Sequence, residues 1–97
     1  MIIELKKFGT ALISRQAGKE AFSAFQTSLN TIPEAEEITA DFDGVITFSP
    51  SWGDEFLTPL AQKYGSRFKL MHTENPSVKI TLEILERANK LKFNALA

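Results

Sequence analysis

The stretch "DFDGVITFSPSWGDEF", Asp41–Phe56, decides the fold because the end of a strand, a turn and the start of a helix follow one another in it. Overlapping its start, "EITADF" (residues 37–42) alternates apolar and polar side chains, the pattern of a strand with one covered face. The strand ends in Asp-Gly, and two serines flank a proline immediately before an acidic, aromatic helix start. The stretch therefore predicts a strand followed by a helix.

The segment "WGDEFLTPLAQKYG" predicts a helix that ends at Gly65. Pro59 removes one backbone donor and crowds the carbonyl of Glu55, so we expect a kink or a helix in two pieces. Apolar residues recur at helical spacing: Phe56, Leu57, Leu60, Ala61 and Tyr64.

On the N-terminal side, "IIEL" and "TALIS" are short β-type runs separated by a glycine turn, which predicts a hairpin. Ser14 suits the cap of the next helix, because its oxygen can accept a hydrogen bond from a free N–H of the first turn. That helix is expected from about Arg15 to Leu29. Its predicted apolar stripe consists of Ala17, Ala21, Phe22, Phe25 and Leu29.

On the C-terminal side, "RFKLMH" alternates again and predicts a strand, with Phe68, Leu70 and His72 on its covered side. After "TENP", Pro76 suits the first turn of a third helix. The predicted inner face of this helix consists of Val78, Leu82, Ile84, Leu85, Ala88 and Leu91.

Strands that alternate with helices indicate right-handed β-α-β crossovers and a mostly parallel sheet. These strands alternate in polarity, whereas a sheet covered on both faces would show continuous apolar runs. We therefore predict one α/β domain over residues 1–97, with three parallel strands, an added N-terminal hairpin strand, and about three helices mainly on one face of the sheet.

Composition excludes several classes of protein. The formal net charge of −1 comes from scattered lysines, arginines and carboxylates, so direct nucleic-acid binding is not expected. The absence of cysteine excludes disulfides, thiolate zinc sites and a cysteine nucleophile. Neither a signal sequence nor an apolar run of spanning length is present, which predicts a cytoplasmic protein without a membrane segment.

The carboxyl ends of parallel strands lie along one edge of a sheet, where ligands tend to bind. The segments that follow Phe42 and Met71 are therefore expected to meet there. This predicts one cluster that contains Ser49, Ser51, Asp54, Glu55, His72, Thr73 and Glu74.

Ser-Pro-Ser at the helix start fits two interpretations, because a free helix N-terminus favours a capping oxygen and a phosphate for the same reason. Ser51 and Asp54 have the spacing of a capping box, whereas Ser49 before Pro50 suits an N-cap with proline in the first turn. Phosphate on a serine here would add about −1.5 to −2 of charge beside the carboxylates Asp54 and Glu55.

Other chemistry finds weaker support in the sequence. Ser51 and His72 could share the edge with an acid such as Asp43, but no Gly-x-Ser-x-Gly elbow is present, so we predict no enzymatic activity. His72 and Glu74 alone are too few for a metal site. The glycines form no phosphate-binding loop, and no cofactor is expected.

Two further side chains are candidates for specific contacts. Arg15 at a helix start opposes the helix dipole, which favours pairing with a carboxylate, or alternatively exposure to solvent. Trp52 beside a polar loop is a candidate interface anchor, since tryptophan is enriched at binding hot spots; half-buried packing is the alternative.

The runs "FGTALISRQAG", "ADFDGVITFSPSWGDEF" and "FKLMHTENPSV" resemble the STAS-like domain family of unassigned function, which is related to the STAS domains of anti-sigma-factor antagonists. The resemblance extends over roughly residues 3–88. It implies a STAS-like fold. The positions that match the family pattern are Gly9, Ser14, Arg15, Asp41, Gly44, Val45, Asp54 and Glu55. The family match also implies Asp41 or Glu55 as the carboxylate that pairs with Arg15.

In the antagonists, a kinase of the histidine-kinase-like ATPase type phosphorylates a serine at this helix start. The resemblance implies that Ser51 occupies this position, with Ser49 as the second candidate. The sequence departs from the antagonist pattern because Ser49 stands where the antagonists have Asp, Pro50 replaces a serine and Trp52 replaces a glycine.

The expected function is a non-enzymatic protein-interaction domain in bacterial signalling or transcription regulation, with such an ATPase as its partner. The partner-binding candidates are Asp43, Trp52, Asp54 and Glu55. The alternative is a module that binds a small anion or a nucleotide at the same edge of the sheet.

Overall fold

The strands and helices alternate along the chain, as the sequence predicts, in a computed structural model that describes residues 1–95. The strands are β1 (Ile2–Glu4), β2 (Ala11–Leu12), β3 (Ile38–Asp41), β4 (Thr47–Phe48), β5 (Phe68–Leu70) and β6 (Asn94–Ala95). The helices are α1 (Arg15–Leu29), α2 (Pro50–Tyr64) and α3 (Pro76–Asn89).

The main sheet has four parallel strands in the order β1-β3-β5-β6. Because this order runs in one direction across the sheet, the right-handed crossovers usual for parallel strands place all three helices on one face. Ile3, Ala40 and Leu70 lie side by side in the register and are buried. The predicted α/β class, with helices on one face of a mostly parallel sheet, is confirmed.

The second N-terminal strand forms as predicted, but the predicted hairpin is wrong. β2 pairs in parallel with β4, and the fourth strand of the main sheet is β6. A 3-10 helix, Leu5–Phe8, and Gly9, at φ 130°, separate β1 from β2 and carry the chain out of the main sheet. β2 therefore places buried Leu12 beside Phe48 of β4.

Helix α1 has the predicted limits, but its inner face differs from the predicted stripe by one position. Ala17 is exposed and Gly18 is buried. A Cβ added at Gly18 would lie 2.7 Å from the Trp52 carbonyl oxygen, closer than real Cβ atoms approach backbone. Glycine therefore allows α1 to pack closely against α2.

Helix α2 continues through Pro59, so the predicted division into two pieces is wrong. Helix α3 packs on α2 and β4, and the hydroxyl of buried Thr81 donates to the Phe48 carbonyl oxygen at 2.7 Å. This contact turns the helix so that Ile84 and Ala88, which were predicted to face inward, are exposed. The hydrogen bond from Thr81 to β4, and not the number of apolar residues on each side of the helix, determines which face of α3 is buried.

Candidate functional site

The paired strands β2 and β4 bring the first turns of α1 and α2 together. Each strand runs into a helix capped by a serine, Ser14 or Ser49, and the Ser49 N–H donates to the Leu12 carbonyl oxygen at 2.9 Å. The Ser14 Oγ accepts from the Ala17 N–H at 3.1 Å, which confirms its predicted capping role. Two helix starts thus share one end of the molecule.

Ser49 is the N-cap of α2. Its Oγ accepts a hydrogen bond from the Trp52 N–H at 3.3 Å and donates one to the Ile13 carbonyl oxygen. The predicted cap at Ser49 is therefore confirmed. Ser51 lies two residues further on, inside the helix, so the predicted capping box of Ser51 with Asp54 is wrong.

Ser51 is half-buried, and its hydroxyl makes no hydrogen bond within the described residues 1–95. The start of α3 gives a direct comparison, because Asn75-Pro76-Ser77 places Ser77 at the same helical position. There the Ser77 Oγ accepts from the Phe48 N–H at 2.9 Å and donates to the Phe48 carbonyl oxygen at 3.1 Å. The Ser77 hydroxyl is therefore used in hydrogen bonds that hold α3 to β4, whereas the Ser51 hydroxyl has no such structural role.

Arg15 joins the first turn of α1 to α2. Its Nη1 lies 3.1 Å from Asp54 Oδ2 and 3.0 Å from Glu55 Oε1. The predicted pairing with Glu55 is confirmed, and the predicted pairing with Asp41 is wrong, because the second carboxylate that Arg15 contacts is Asp54. The hydrogen bond to Glu55, and then the one to Asp54, raises the pKa of the Arg15 guanidinium further.

Asp54 also contacts the third helix. Its Oδ1 accepts from the Asn89 Nδ2 at 3.2 Å, so this carboxylate joins all three helices. Partial burial alone would raise the pKa of Asp54, but hydrogen bonds from Arg15, Asn89 and Thr58 outweigh it and hold the pKa below its ordinary value. Asp54 is therefore ionised and positioned by its neighbours.

Asp41 and Gly44 form the turn after β3. The Asp41 Oδ1 accepts from the Asp43 N–H at 3.0 Å, and Gly44 has φ 86°, which side chains rarely adopt. A Cβ at Gly44 would also come within 3.0 Å of the Lys6 Cδ. Asp41 and Gly44 therefore shape a turn, and Asp43 within it is exposed.

Trp52 does not have the exposure that an interface anchor needs. It is 1% exposed and stacks on Phe56, with ring centroids 5.0 Å apart, and its indole also packs against Phe8 and Phe48. Trp52 comes three residues after the Ser49 cap, and because α2 starts directly after β4, this position faces the core. A direct contact between Trp52 and a partner is excluded in this folded state.

The predicted single cluster is divided between two places. The loops after β3 and β5 meet as expected and line an open cavity of about 280 Å³, which we call the rim cavity. Ser49 and Ser51 are not among its lining residues, which are Asp41, Phe42, Asp43, Gly44, Val45, His72, Thr73, Glu74 and Asn75.

The rim cavity is acidic, because Asp41, Asp43 and Glu74 contribute three carboxylates to its lining. The side chain of His72 is exposed, contrary to the predicted packing over the core, and its Nε2 pairs with Glu74. His72 and then Lys79 hold the pKa of the Glu74 carboxyl below its ordinary value. Among residues 1–95, no three His, Cys, Asp or Glu side chains are grouped to hold a metal ion.

Two exposed isoleucines beside the helix starts were not predicted as site residues. Ile13 is 52% exposed and Ile46 is 70% exposed. Ile13 is the residue whose carbonyl accepts from Ser49, and the Ile46 N–H donates to the Thr10 carbonyl oxygen at 2.8 Å. Ile13 lies in the β-type run "TALIS" and Ile46 in the apolar residues that follow Gly44, but neither pattern indicates which of these side chains is exposed.

Comparisons of this chain with protein-family models, with curated proteins and with solved structures found no match. In the described part of the chain, no helix has the length and apolar character needed to cross a membrane.

Proposed function

We propose that this chain is a STAS-like regulatory domain that acts by binding another protein, without catalysis, in bacterial signalling or transcription control. The contact surface in this proposal is the α2 edge, which we define as Ile13, Ile46, Ser51, Asp54 and Glu55. Phosphorylation of Ser51 would regulate the contact, and the domain would act in the cytoplasm.

Two observations carry the proposal: Ile13 and Ile46 are large exposed apolar side chains, and the Ser51 hydroxyl has no hydrogen-bond partner among the described residues. Ile13 directly follows β2 and Ile46 directly precedes β4, and both leave large apolar side chains in water. Burying such side chains against a partner is favourable by roughly 1.5–3 kcal/mol for each one fully covered. The neighbouring serine is free to be modified without loss of a structural hydrogen bond.

The two serine candidates are not equivalent as regulatory positions. The Ser49 Oγ is used twice, as the cap of α2 and as a donor to the Ile13 carbonyl oxygen, so a phosphate there would remove the donated hydrogen bond. The Ser51 hydroxyl makes no hydrogen bond among the described residues, so a phosphate on it would leave both Ser49 contacts in place. These contacts favour Ser51 over Ser49.

The proposed partner is an ATPase of the histidine-kinase-like, anti-sigma type. This choice depends on the resemblance of "DFDGV" and the following helix start to the antagonists. The isoleucines would supply the apolar contact, and the carboxylates of Asp54 and Glu55 would lie at its border.

Calorimetric titration with a purified ATPase of this class from the same genome tests the proposal. Ile46→Asp is expected to weaken binding at least about tenfold, because a charge would be desolvated in the contact. Ile2→Asp is the matched control, since Ile2 is 59% exposed and lies at the start of β1, at the opposite end of the strands. Equal affinities for the two variants would reject the α2 edge as the contact.

The alternative function, binding of a small anion or nucleotide, finds no support in the rim cavity. Its three carboxylates repel a phosphate, and its one histidine is already paired with Glu74. We therefore expect nucleotides and inorganic phosphate to leave the melting temperature unchanged in a thermal-shift measurement. A rise that grows with ligand concentration would favour the alternative.

A further inference from the structure

The guanidinium of Arg15 is only partly used in the contacts between α1 and α2. Its Nη1 makes both contacts, with Asp54 and with Glu55, while Nε and Nη2 have no hydrogen-bond partner among the described residues. The side chain is 55% exposed. Arg15 thus offers unused donors and has room to move at the surface.

Ser51 lies on the same face of α2 as the two carboxylates that Arg15 contacts. Asp54 and Glu55 follow it by three and four residues, and residues at this spacing are neighbours on a helix surface. The first turn of α1 packs here, because a Cβ at Gly18 would lie 3.2 Å from the Glu55 Cβ. A group added to the Ser51 oxygen would therefore lie one turn from the pair that Arg15 binds.

We infer that Arg15 is the residue that binds the phosphate on Ser51, and that it exchanges Asp54 and Glu55 for this phosphate. The inference rests on the proposed regulation at Ser51 and specifies how the fold responds to it. Arginine binds a phosphate in a bidentate manner, and charge-assisted contacts of this kind are about twice as strong as neutral hydrogen bonds. After the exchange, Asp54 and Glu55 lose their cation and increase the negative charge of the α2 edge.

The covalent step uses a nucleoside triphosphate bound by a separate protein kinase. The Ser51 Oγ forms a bond to the γ-phosphorus while the bond from that phosphorus to the bridging oxygen breaks. The nucleoside diphosphate leaves with the electron pair of the broken bond. The hydroxyl proton passes to a base of the kinase.

The test uses the full chain carrying phosphoserine at position 51, introduced during translation, so that it needs neither the kinase nor the partner. Phosphorus NMR measures the second pKa of the phosphate, which is about 6 without a neighbouring charge. If Arg15 binds the phosphate, Arg15→Gln should raise this pKa by about 0.5 or more, because a nearby cation favours the dianion.

Lys19→Gln is the matched control, since it removes one exposed positive charge one turn further along α1. This variant is expected to raise the phosphate pKa by less than about 0.2, because an exposed charge at longer range is screened. Melting temperatures of both variants verify that the fold is intact. In addition, the NMR signal of the Arg15 Nε–H should shift as the phosphate titrates.

Equal pKa changes in the two variants, or an Arg15 Nε–H signal that does not follow the phosphate titration, would overturn the inference. These readouts are independent of partner binding. A chain that shows the Arg15 effect but binds no ATPase would therefore count against the proposed function alone.

Discussion

Helices α2 and α3 begin with the same local pattern, a polar cap, a proline, a serine and an apolar residue, yet their serines have different surroundings. Ser77 exchanges two hydrogen bonds with the backbone of Phe48, whereas Ser51 makes none among the described residues. The two helix starts share a local sequence pattern, but the two serines differ in what packs around them. Helix formation alone therefore does not determine whether the serine hydroxyl at this position is hydrogen-bonded; the packing of the helix start against the rest of the chain does.

The two N-cap residues, in contrast, have the same role, because each caps its helix and also donates a hydrogen bond to the backbone outside it. Ser49 caps α2 and donates to the Ile13 carbonyl oxygen, and Asn75 caps α3 and donates to the carbonyl oxygens of Val45 and Ile46 at 2.8 and 3.0 Å. Each cap joins its helix to a segment next to a strand, Ile13 after β2 or Val45 and Ile46 before β4. The role of side-chain hydrogen bonds in joining each helix start to the rest of the fold therefore differs at the third residue of the pattern, Ser51 or Ser77.

The largest effect is expected at the apolar residue that follows each serine. Trp52→Ala should lower the free energy of unfolding by about 3–5 kcal/mol, because it removes the stacked ring against Phe56 and leaves a cavity. Val78→Ala, at the same position of α3, removes less volume and should cost less. Denaturant unfolding measures both, and a Trp52 variant as stable as the native chain would contradict the core placement of the indole.

Loss of the α2 cap should have a smaller effect. Ser49→Ala removes the acceptor for the Trp52 N–H and should cost about 1–2 kcal/mol in the free energy of unfolding. Ser49→Asp keeps an acceptor at the cap and should recover part of this loss. No difference between the two variants would mean that the Ser49 side chain does not cap α2 in solution.

The smallest effect is expected from the contribution of Asp54 to the pH dependence of the free energy of unfolding. Its folded-state pKa lies below the ordinary value of 3.8, so its contribution to stability is present above that pH and is lost as the pH falls through the folded-state pKa. Asp54→Asn should therefore reduce the loss of stability on acidification in this range. Acid unfolding curves of the two proteins measure it, and parallel curves would show that the hydrogen bonds from Arg15, Asn89 and Thr58 do not lower the pKa of Asp54 in solution.

The parts of the fold that depend on local chemistry were predictable. The limits of α1 follow from a serine cap and an apolar stripe, and Pro50 and Pro76 mark the starts of α2 and α3. The pairing of β2 with β4 was not predictable, because two-residue strands carry no register signal of their own. The prediction assumed pairing between strands adjacent in sequence.

The candidate site was predicted in part. Capping by Ser14 and Ser49 follows from the free N–H groups of a helix start, whereas Glu55 as the partner of Arg15 was implied by the family resemblance. The burial of Trp52 and the free hydroxyl of Ser51 could not be deduced, since both depend on how α1, α3 and β4 pack around α2. Gly18 was likewise missed, because its role is to allow a close approach between two helices.

The central claim is that Ser51 is not part of the structural hydrogen bonding, whereas Ser77 is. Equilibrium unfolding of Ser51→Ala and Ser77→Ala tests it most directly. We predict that Ser77→Ala costs about 1–3 kcal/mol, because it leaves the buried Phe48 N–H without an acceptor, and that Ser51→Ala stays within about 0.5 kcal/mol of the native chain. A loss at Ser51 equal to that at Ser77 would contradict the claim and make Ser51 a structural residue.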